Sequence, residues 1–153
     1  MGRDRNLLRR YRAIISSCGV VLLIGGMVMT LPLPLLFFFS DESGLLRDFF
    51  IPALILLSAG MVLWKWIKPR EEVVLTVQEG GLVVVAGWVM VCVVSAMPFV
   101  TGMGLTFNNA LFEAVSGWTT TGLSVVDVQK APRVMLLWRS VMQLAGGAGL
   151  AVI

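Results

Sequence analysis

Long stretches with almost no charge constrain this chain more than any other feature of its sequence. Four apolar runs, at residues 13–31, 49–67, 80–99 and 134–153, contain only Lys65 and Arg139 as charged residues. A helix of this length reaches about 28 Å, close to the thickness of the hydrocarbon core of a bilayer. Inside hydrocarbon, only helices and closed barrels satisfy their own backbone hydrogen bonds. We therefore predict an all-α membrane protein.

The composition agrees with this class and excludes most catalytic chemistry. The chain is 58% hydrophobic and 14% charged, whereas soluble domains carry roughly a quarter charged residues. It has no histidine, and its two cysteines, Cys18 and Cys92, lie inside apolar runs. These cysteines make neither a disulfide framework nor a pair at metal-ligand spacing. No set of nucleophile, base and metal ligands is present, so we predict that the protein is not an enzyme.

The first two runs form a hairpin whose orientation follows from the basic residues. Five arginines precede the first run, and Pro32 and Pro34 end it. The second run ends in an aromatic and basic belt suited to lipid headgroups: Trp64, Lys65, Trp66, Lys68 and Arg70. The link between the runs contains one basic residue. The positive-inside rule then predicts a cytoplasmic N-terminus, and the third run exits on the outer side.

The segment "FNNALFEAVSGWTTTGLSVVD", residues 107–127, is too short and too polar to cross the bilayer. Residues 108–117 predict a helix of about 15 Å, half a bilayer, with Thr106 or Asn108 as N-cap and Gly117 at its end. Irregular backbone after such a helix is tolerated at membrane depth only inside protein or beside a water-filled cavity. The segment is therefore either a re-entrant pore loop or a polar turn outside the membrane.

The residues after this half-length helix have the chemistry of an ion filter. The helix carboxyl end carries partial negative charge and favours a cation. Glycine at Gly122 allows unusual backbone angles, and the oxygens of Thr119, Thr120 and Thr121 can replace the hydration shell of potassium. We predict ion coordination by these four residues, with no other metal. Oxygen ligands alone do not distinguish potassium from sodium.

Several neighbouring residues have two interpretations each. Glu113 either attracts ions at the mouth or fixes the loop by hydrogen bonds. Arg139, in the fourth run, either pairs with a carboxylate such as Glu113 or extends to the interface. Asp127 either concentrates cations or is a solvated loop charge. The glycines of the fourth run permit close helix packing or bending: Gly146, Gly147 and Gly149.

The order of these segments resembles a known family. The string at 107–127, followed by "LLWRSVMQLAGGAGLAVI" at 136–153, resembles the Trk/Ktr/HKT superfamily of potassium transport proteins, most closely the membrane subunit of bacterial Trk systems. The resemblance covers nearly the whole chain. It implies these parts: a hairpin at 1–70 and a first pore repeat at 71–153, with outer helix 73–99, pore helix 108–117, filter 119–123 and inner helix 134–153.

The same resemblance implies a function and partners. Four such repeats in one polypeptide would each supply one quarter of a potassium filter in the inner membrane. Glycine at position 122 is, in that family, the version associated with potassium preference. A cytoplasmic nucleotide-binding regulatory subunit and a homodimer are also implied. Besides potassium, the lipid bilayer and the remaining repeats, we expect no nucleic acid as a partner.

The chain holds one pore loop and stops inside the second helix of the first repeat. We therefore expect the N-terminal part of a Trk-type transporter, with three quarters of the filter supplied elsewhere. One alternative is a complete short subunit that forms a homotetrameric cation channel. Another is a membrane interaction module that does not conduct ions.

Overall fold

The computed structural model describes residues 2–67 and 73–152 of the chain. It contains α-helices and two short 3₁₀ turns, at Leu33–Phe37 and Ser40–Leu45, and no strand within those residues. The predicted all-α class is confirmed. The helices are α1 Gly2–Thr30, α2 Leu46–Ile67, α3 Val77–Ser95, α4 Met97–Met103, α5 Phe107–Trp118 and α6 Arg133–Val152.

Helices α1 and α2 form an antiparallel pair in close contact. A Cβ built on Gly19 would lie 2.8 Å from the backbone of Trp64, and one built on Gly26 would lie 2.8 Å from Leu57. Because higher numbers in α1 meet lower numbers in α2, the helices run in opposite directions. Small residues at such contacts let membrane helices approach closely. Two residues of the predicted headgroup belt, Lys68 and Arg70, lie outside the described residues.

Helix α3 runs parallel to α1. Gly25 faces Val91 and Gly87 faces Val21, so the numbers rise together along both helices. A capping box starts α3: Glu79 N–H donates to Thr76 Oγ1, and Thr76 N–H donates to the Glu79 carboxylate at 2.8 Å. Arg10 of α1 donates two hydrogen bonds to the same carboxylate, each 2.7 Å long. The amino-terminal helix is thereby fixed to the start of α3.

The predicted outer helix at 73–99 is divided in the structure. Residues 73–76 precede the helix, α3 ends at Ser95, and α4 begins at Met97 with Pro98 in its first turn. Proline lacks an amide proton and is tolerated at that position, so the chain starts a new helix there. Helix α4 then ends at Met103, and the next residue, Gly104, has a left-handed φ of 68°. The third run therefore consists of a long helix followed by a short second helix.

Three segments are long and apolar enough to cross a membrane: Leu7–Phe37, Asp41–Ile67 and Val77–Met103. This agrees with the first three predicted spans. The fourth predicted span, 134–153, forms α6, which is not among the three within the described residues.

The contacts of α5 with α6 show that the intervening segment folds back on itself. Glu113 meets Arg139, Gly117 meets Met142, and Trp118 meets Gly146, so the two helices run in the same direction. Residues 119–132 must therefore return from the end of α5 to the start of α6. The segment starts beside Gly146, about 20 Å along α6 from Arg133, since each helical residue advances about 1.5 Å. This path is that of a re-entrant loop.

A continuous apolar core joins the hairpin to this re-entrant unit. Phe49 of α2 packs edge to face on Trp138 of α6, with ring centroids 6.0 Å apart. Both side chains are fully buried. Every α-helix contributes to the same cluster, whose largest fully buried members are Trp138, Phe49, Phe99, Met29, Leu56, Met135 and Met142. The hairpin and the re-entrant unit thus share one core.

Candidate functional site

The candidate site begins where α5 ends. Thr119 directly follows the helix, and two of the next three residues have unusual backbone angles. Thr120 has a φ of 58° and Gly122 a φ of 80°, both in the left-handed region. A β-branched residue rarely adopts this conformation because its side chain crowds the backbone, whereas glycine adopts it freely. The surrounding structure therefore holds residues 119–122 in a shape that the isolated sequence would not prefer. Residues 119–126 are called the strand below, although they are not part of a β-sheet.

Hydroxyl groups fix the first part of this strand. Thr119 Oγ1 donates to Val115 O in the last turn of α5 at 2.7 Å, and it lies 2.8 Å from Thr121 Oγ1. Ser116 Oγ donates to Leu123 O at 2.6 Å, across the end of the helix. The amide of Gly122 reaches Ser116 O at 3.4 Å. These hydrogen bonds therefore hold residues 119–123 against the carboxyl end of α5.

Glu113 fixes the second part of the strand. One carboxylate oxygen, Oε1, accepts hydrogen bonds from Ser124 Oγ at 2.8 Å, Val125 N at 2.6 Å and Val126 N at 3.2 Å. Its side chain has 0% exposure. Hydrogen bonds from backbone amides to a carboxylate are stronger than those between neutral groups. The Glu113 carboxylate thus accepts hydrogen bonds from backbone amides that lie outside any helix.

Arg139 completes the charge balance around Glu113. Its Nε lies 2.7 Å from Glu113 Oε2, and its side chain is 13% exposed. The two atoms are in ionic contact without the alignment of a hydrogen bond. The same guanidinium donates from Nη2 to Leu123 O at 3.4 Å. A buried carboxylate without such a partner would be costly, so Arg139 and Glu113 depend on each other.

The opposite side of the strand is open. Thr120, Thr121, Gly122 and Leu123 are exposed. Within the described residues, the carbonyl oxygens of 119–122 accept no hydrogen bond. These oxygens remain available to a ligand, in contrast to Leu123 O, which already has two donors. A cation at this surface would meet carbonyl and hydroxyl oxygens, because no cluster of three His, Cys, Asp or Glu side chains lies in the part of the chain described.

The end of α5 rests on α3 and α6. The indole of Trp118 donates to Ser95 Oγ at 3.0 Å, and the indole of Trp138 donates to Ser95 O at 3.3 Å. Helix α6 touches the last turn of α5 at Gly146, where a Cβ would lie 2.0 Å from Trp118 O. Only glycine allows this approach. The position of Thr119 is therefore set by three helices.

The structure brings all six predicted site residues into one unit: Thr119, Thr120, Thr121, Gly122, Glu113 and Arg139. Asp127 stands apart, is exposed, and lies 3.5 Å from Lys130. Gly146 makes the close helix contact predicted for the glycine cluster, whereas Gly149 has nothing within 4 Å of its Cβ position.

Sequence reasoning did not identify Ser116, Ser95 or Gln143. The Gln143 amide nitrogen lies 3.7 Å from the Cβ position of Gly122, on the α6 side of the strand. Ser116 lies three residues after Glu113 on α5, so helical spacing could have placed both on the face that meets the strand. Nothing in the sequence near Ser95 indicates its two tryptophan partners.

Comparison with known proteins gives a consistent set of relatives. The family model described as TrkH, cation transport protein, matches residues 46–153. The chain is 34% identical to the Trk system potassium uptake protein TrkG of Escherichia coli (strain K12), over 93% of this chain and 29% of that protein. It is 34% identical to the Trk system potassium uptake protein TrkH of Salmonella typhimurium, over 94% of this chain and 30% of that protein. The corresponding values for the Trk system potassium uptake protein TrkI of Halomonas elongata are 31%, 98% and 30%. The chain thus spans less than a third of the length of these relatives.

Proposed function

The chain belongs to the TrkH family of cation transport proteins, and from that premise we propose that it contributes to potassium uptake across the cell's inner membrane. Its contribution is one quarter of a selectivity filter, formed by Thr119, Thr120, Thr121 and Gly122. The ion is the transported substrate, and no covalent step is involved. The N-terminus lies in the cytoplasm, so that the re-entrant loop opens to the outside.

The conformation of residues 119–122 carries this proposal. Thr120 and Gly122 are left-handed, and the carbonyl oxygens of residues 119–122 have no internal donors among the described residues. A partly dehydrated potassium ion needs oxygens at fixed positions to replace its water. Glu113 and Arg139 support the pore because they hold the next residues of the strand from behind. The carboxyl end of α5 adds a favourable partial charge.

One strand does not enclose an ion, and the open face of 120–123 fits further strands of the same kind. The remaining pore segments, which the relatives' greater length can accommodate, would supply them. A nucleotide-binding regulatory subunit and a homodimer are carried over from the family resemblance.

The test is ion uptake by bacteria that lack their own potassium uptake systems and express the intact gene. We expect potassium accumulation above an empty-vector control and a preference for potassium over sodium. Gly122→Ser should lower that preference roughly tenfold, which corresponds to a loss of about 1.4 kcal/mol of discrimination. Serine disfavours the φ of 80°, so the strand shifts and its oxygens leave their positions.

Gly104→Ser is the matched control. Gly104 is also left-handed, with a φ of 68°, and nothing lies within 4 Å of its Cβ position, but it lies before α5 and outside the strand. It should reduce the amount of folded protein without changing the ratio of potassium to sodium uptake. Absence of potassium uptake by wild-type protein that reaches the membrane would contradict the proposal. If Gly122→Ser and Gly104→Ser changed the ratio of potassium to sodium uptake equally, the assignment of residues 119–122 to the filter would be contradicted.

A further inference from the structure

One carboxylate connects the link between α1 and α2 to the first turn of α6. Glu42 Oε1 accepts a hydrogen bond from the amide of Arg133 at 2.9 Å, and Glu42 Oε2 accepts one from the amide of Val134 at 3.0 Å. The first amides of a helix have no partner within the helix. A negative charge at this end is also favoured by the helix dipole. Glu42 therefore caps a helix that begins 91 residues later.

A second contact joins the same two parts of the chain. The guanidinium carbon of Arg133 lies 5.2 Å from the centre of the Phe39 ring, within the range of a cation–π interaction. Phe39 and Glu42 both precede residue 46, where the match to the family model begins. Two side chains of the leading segment, Glu42 and Phe39, thus contact the start of α6.

The start of α6 determines where Arg139 lies. Val134 and Met135 are buried, so the first turn of α6 sits in the core. Arg139 follows less than two turns later, where it contacts Glu113 and donates to Leu123 O. A shift or rotation of the first turn would be carried along the helix to this guanidinium. It would then alter the support behind residues 123–126.

We propose that Glu42 is a positioning residue for the filter: it fixes the start of α6 so that Arg139 holds the strand in its ion-binding shape. This inference rests on the proposed function, because the consequence it names is ion selectivity. It assigns to the leading hairpin a part in selectivity that goes beyond spanning the membrane.

The variant Glu42→Gln tests whether Glu42 acts through its charge and hydrogen bonds or only by filling space. Glutamine has nearly the same size, but it offers one acceptor oxygen and turns an NH₂ group towards the second amide. Asp41→Asn is the matched control, since it removes the same charge from the exposed neighbouring residue on the same link. Any effect of net charge alone should appear in both variants.

The first measurement is hydrogen exchange of the backbone amides in protein purified from the intact gene. In Glu42→Gln, the amides at 133–137 should exchange roughly tenfold faster than in wild type, because a hydrogen bond to a charged acceptor is lost. Asp41→Asn should match wild type. Unchanged exchange in Glu42→Gln would overturn the cap itself.

The second measurement is the ratio of potassium to sodium uptake in the bacterial assay. This ratio does not depend on how much protein folds, so a purely structural defect would not move it. We expect Glu42→Gln to lower it severalfold and Asp41→Asn to leave it unchanged. Faster exchange with an unchanged ratio would overturn the positioning role. If wild type takes up no potassium, the proposed function fails and the positioning role fails with it, whereas the exchange result still shows whether Glu42 holds α6.

Discussion

The hairpin of α1 and α2 and the re-entrant unit of α5, 119–132 and α6 share one apolar core, but they are packed by different means. In the hairpin, backbones touch at glycines: a Cβ on Gly60 would lie 2.8 Å from Gly19 O. In the re-entrant unit, side chains make polar contacts with backbone, as Glu113 does with Val125 and Val126. Close helix packing predominates in the first region, together with a hydrogen bond from Ser16 Oγ to Trp64 O at 3.3 Å, whereas hydrogen bonds to the backbone predominate in the second.

The reason is the state of the backbone in each region. A helix satisfies its own amides and carbonyls, so two helices in lipid need only fit each other. Residues 119–132 are not helical, and their polar groups need partners from elsewhere. Ser116 and Arg139 supply partners for Leu123 O. Polar residues beside an irregular segment are thus needed to satisfy its backbone hydrogen bonds, in addition to being candidates for ion binding.

Removing the buried charge should have the largest effect and tests this comparison most directly. Glu113→Gln leaves Arg139 without its ionic partner at a site where the two side chains are 0% and 13% exposed. We expect a loss of about 3–5 kcal/mol in the free energy of unfolding. Thermal unfolding in detergent measures this loss of stability. We also expect cells that express the variant to lose potassium uptake.

The companion variant is Glu113→Gln combined with Arg139→Leu. Because the double variant leaves no unpaired charge, it should recover part of the stability lost in Glu113→Gln. Potassium uptake should stay low, since Leu123 O has still lost one donor. A stable, active Glu113→Gln protein would remove the distinction between the two regions.

Closing the space between α5 and α6 should have the next largest effect. In Gly146→Ala, the new Cβ would overlap Trp118 O, which is 2.0 Å from that position, and backbone cannot move aside easily. We expect a loss of about 3 kcal/mol, near the upper end for overpacking, and a matching fall in thermal stability. Gly149→Ala is the control, since nothing lies within 4 Å there. Equal stability of the two variants would contradict the close contact.

A smaller effect is expected in the hairpin. Gly60→Ala places a Cβ 2.8 Å from Gly19 O and from Leu23, but the methyl group also favours the helix by up to about 1 kcal/mol. We expect a net loss of about 1 kcal/mol, measured by thermal unfolding, with an unchanged potassium to sodium ratio. Gly80→Ala, at an open position in α3, should be neutral or slightly stabilising. A changed ratio in Gly60→Ala would show that the hairpin contact also shapes the strand.

Much of the fold could be predicted because hydrophobic length is a local property. The first three spans follow from runs of apolar residues, and α5 extends one residue beyond each end of the predicted 108–117. The division after Ser95 was missed because Pro98, which lies in the first turn of the new helix, also fits the end of a single long span. Thr106 is the N-cap of α5, but its side chain makes no capping hydrogen bond.

The candidate site was predictable in its residues and not in its contacts. A polar stretch after a half-length helix identifies Thr119 to Gly122, and a buried charge in a helix draws attention to Arg139. Ser95 and Glu42 could not be found this way, since each acts on residues more than 20 positions away. The division into parts at 1–70 and 71–153, the cytoplasmic N-terminus and the ion-binding role of the strand stay predictions.

The sequence by itself determined that this chain lies in a membrane, where it is helical and where its backbone becomes irregular, because these properties depend on the length and polarity of continuous segments. The tertiary structure decided that α5 and α6 run in the same direction, that Glu113 and Arg139 meet behind the strand, and that Glu42 caps α6. These arrangements depend on contacts between distant residues. Such contacts form only when helices pack, and no local pattern encodes them.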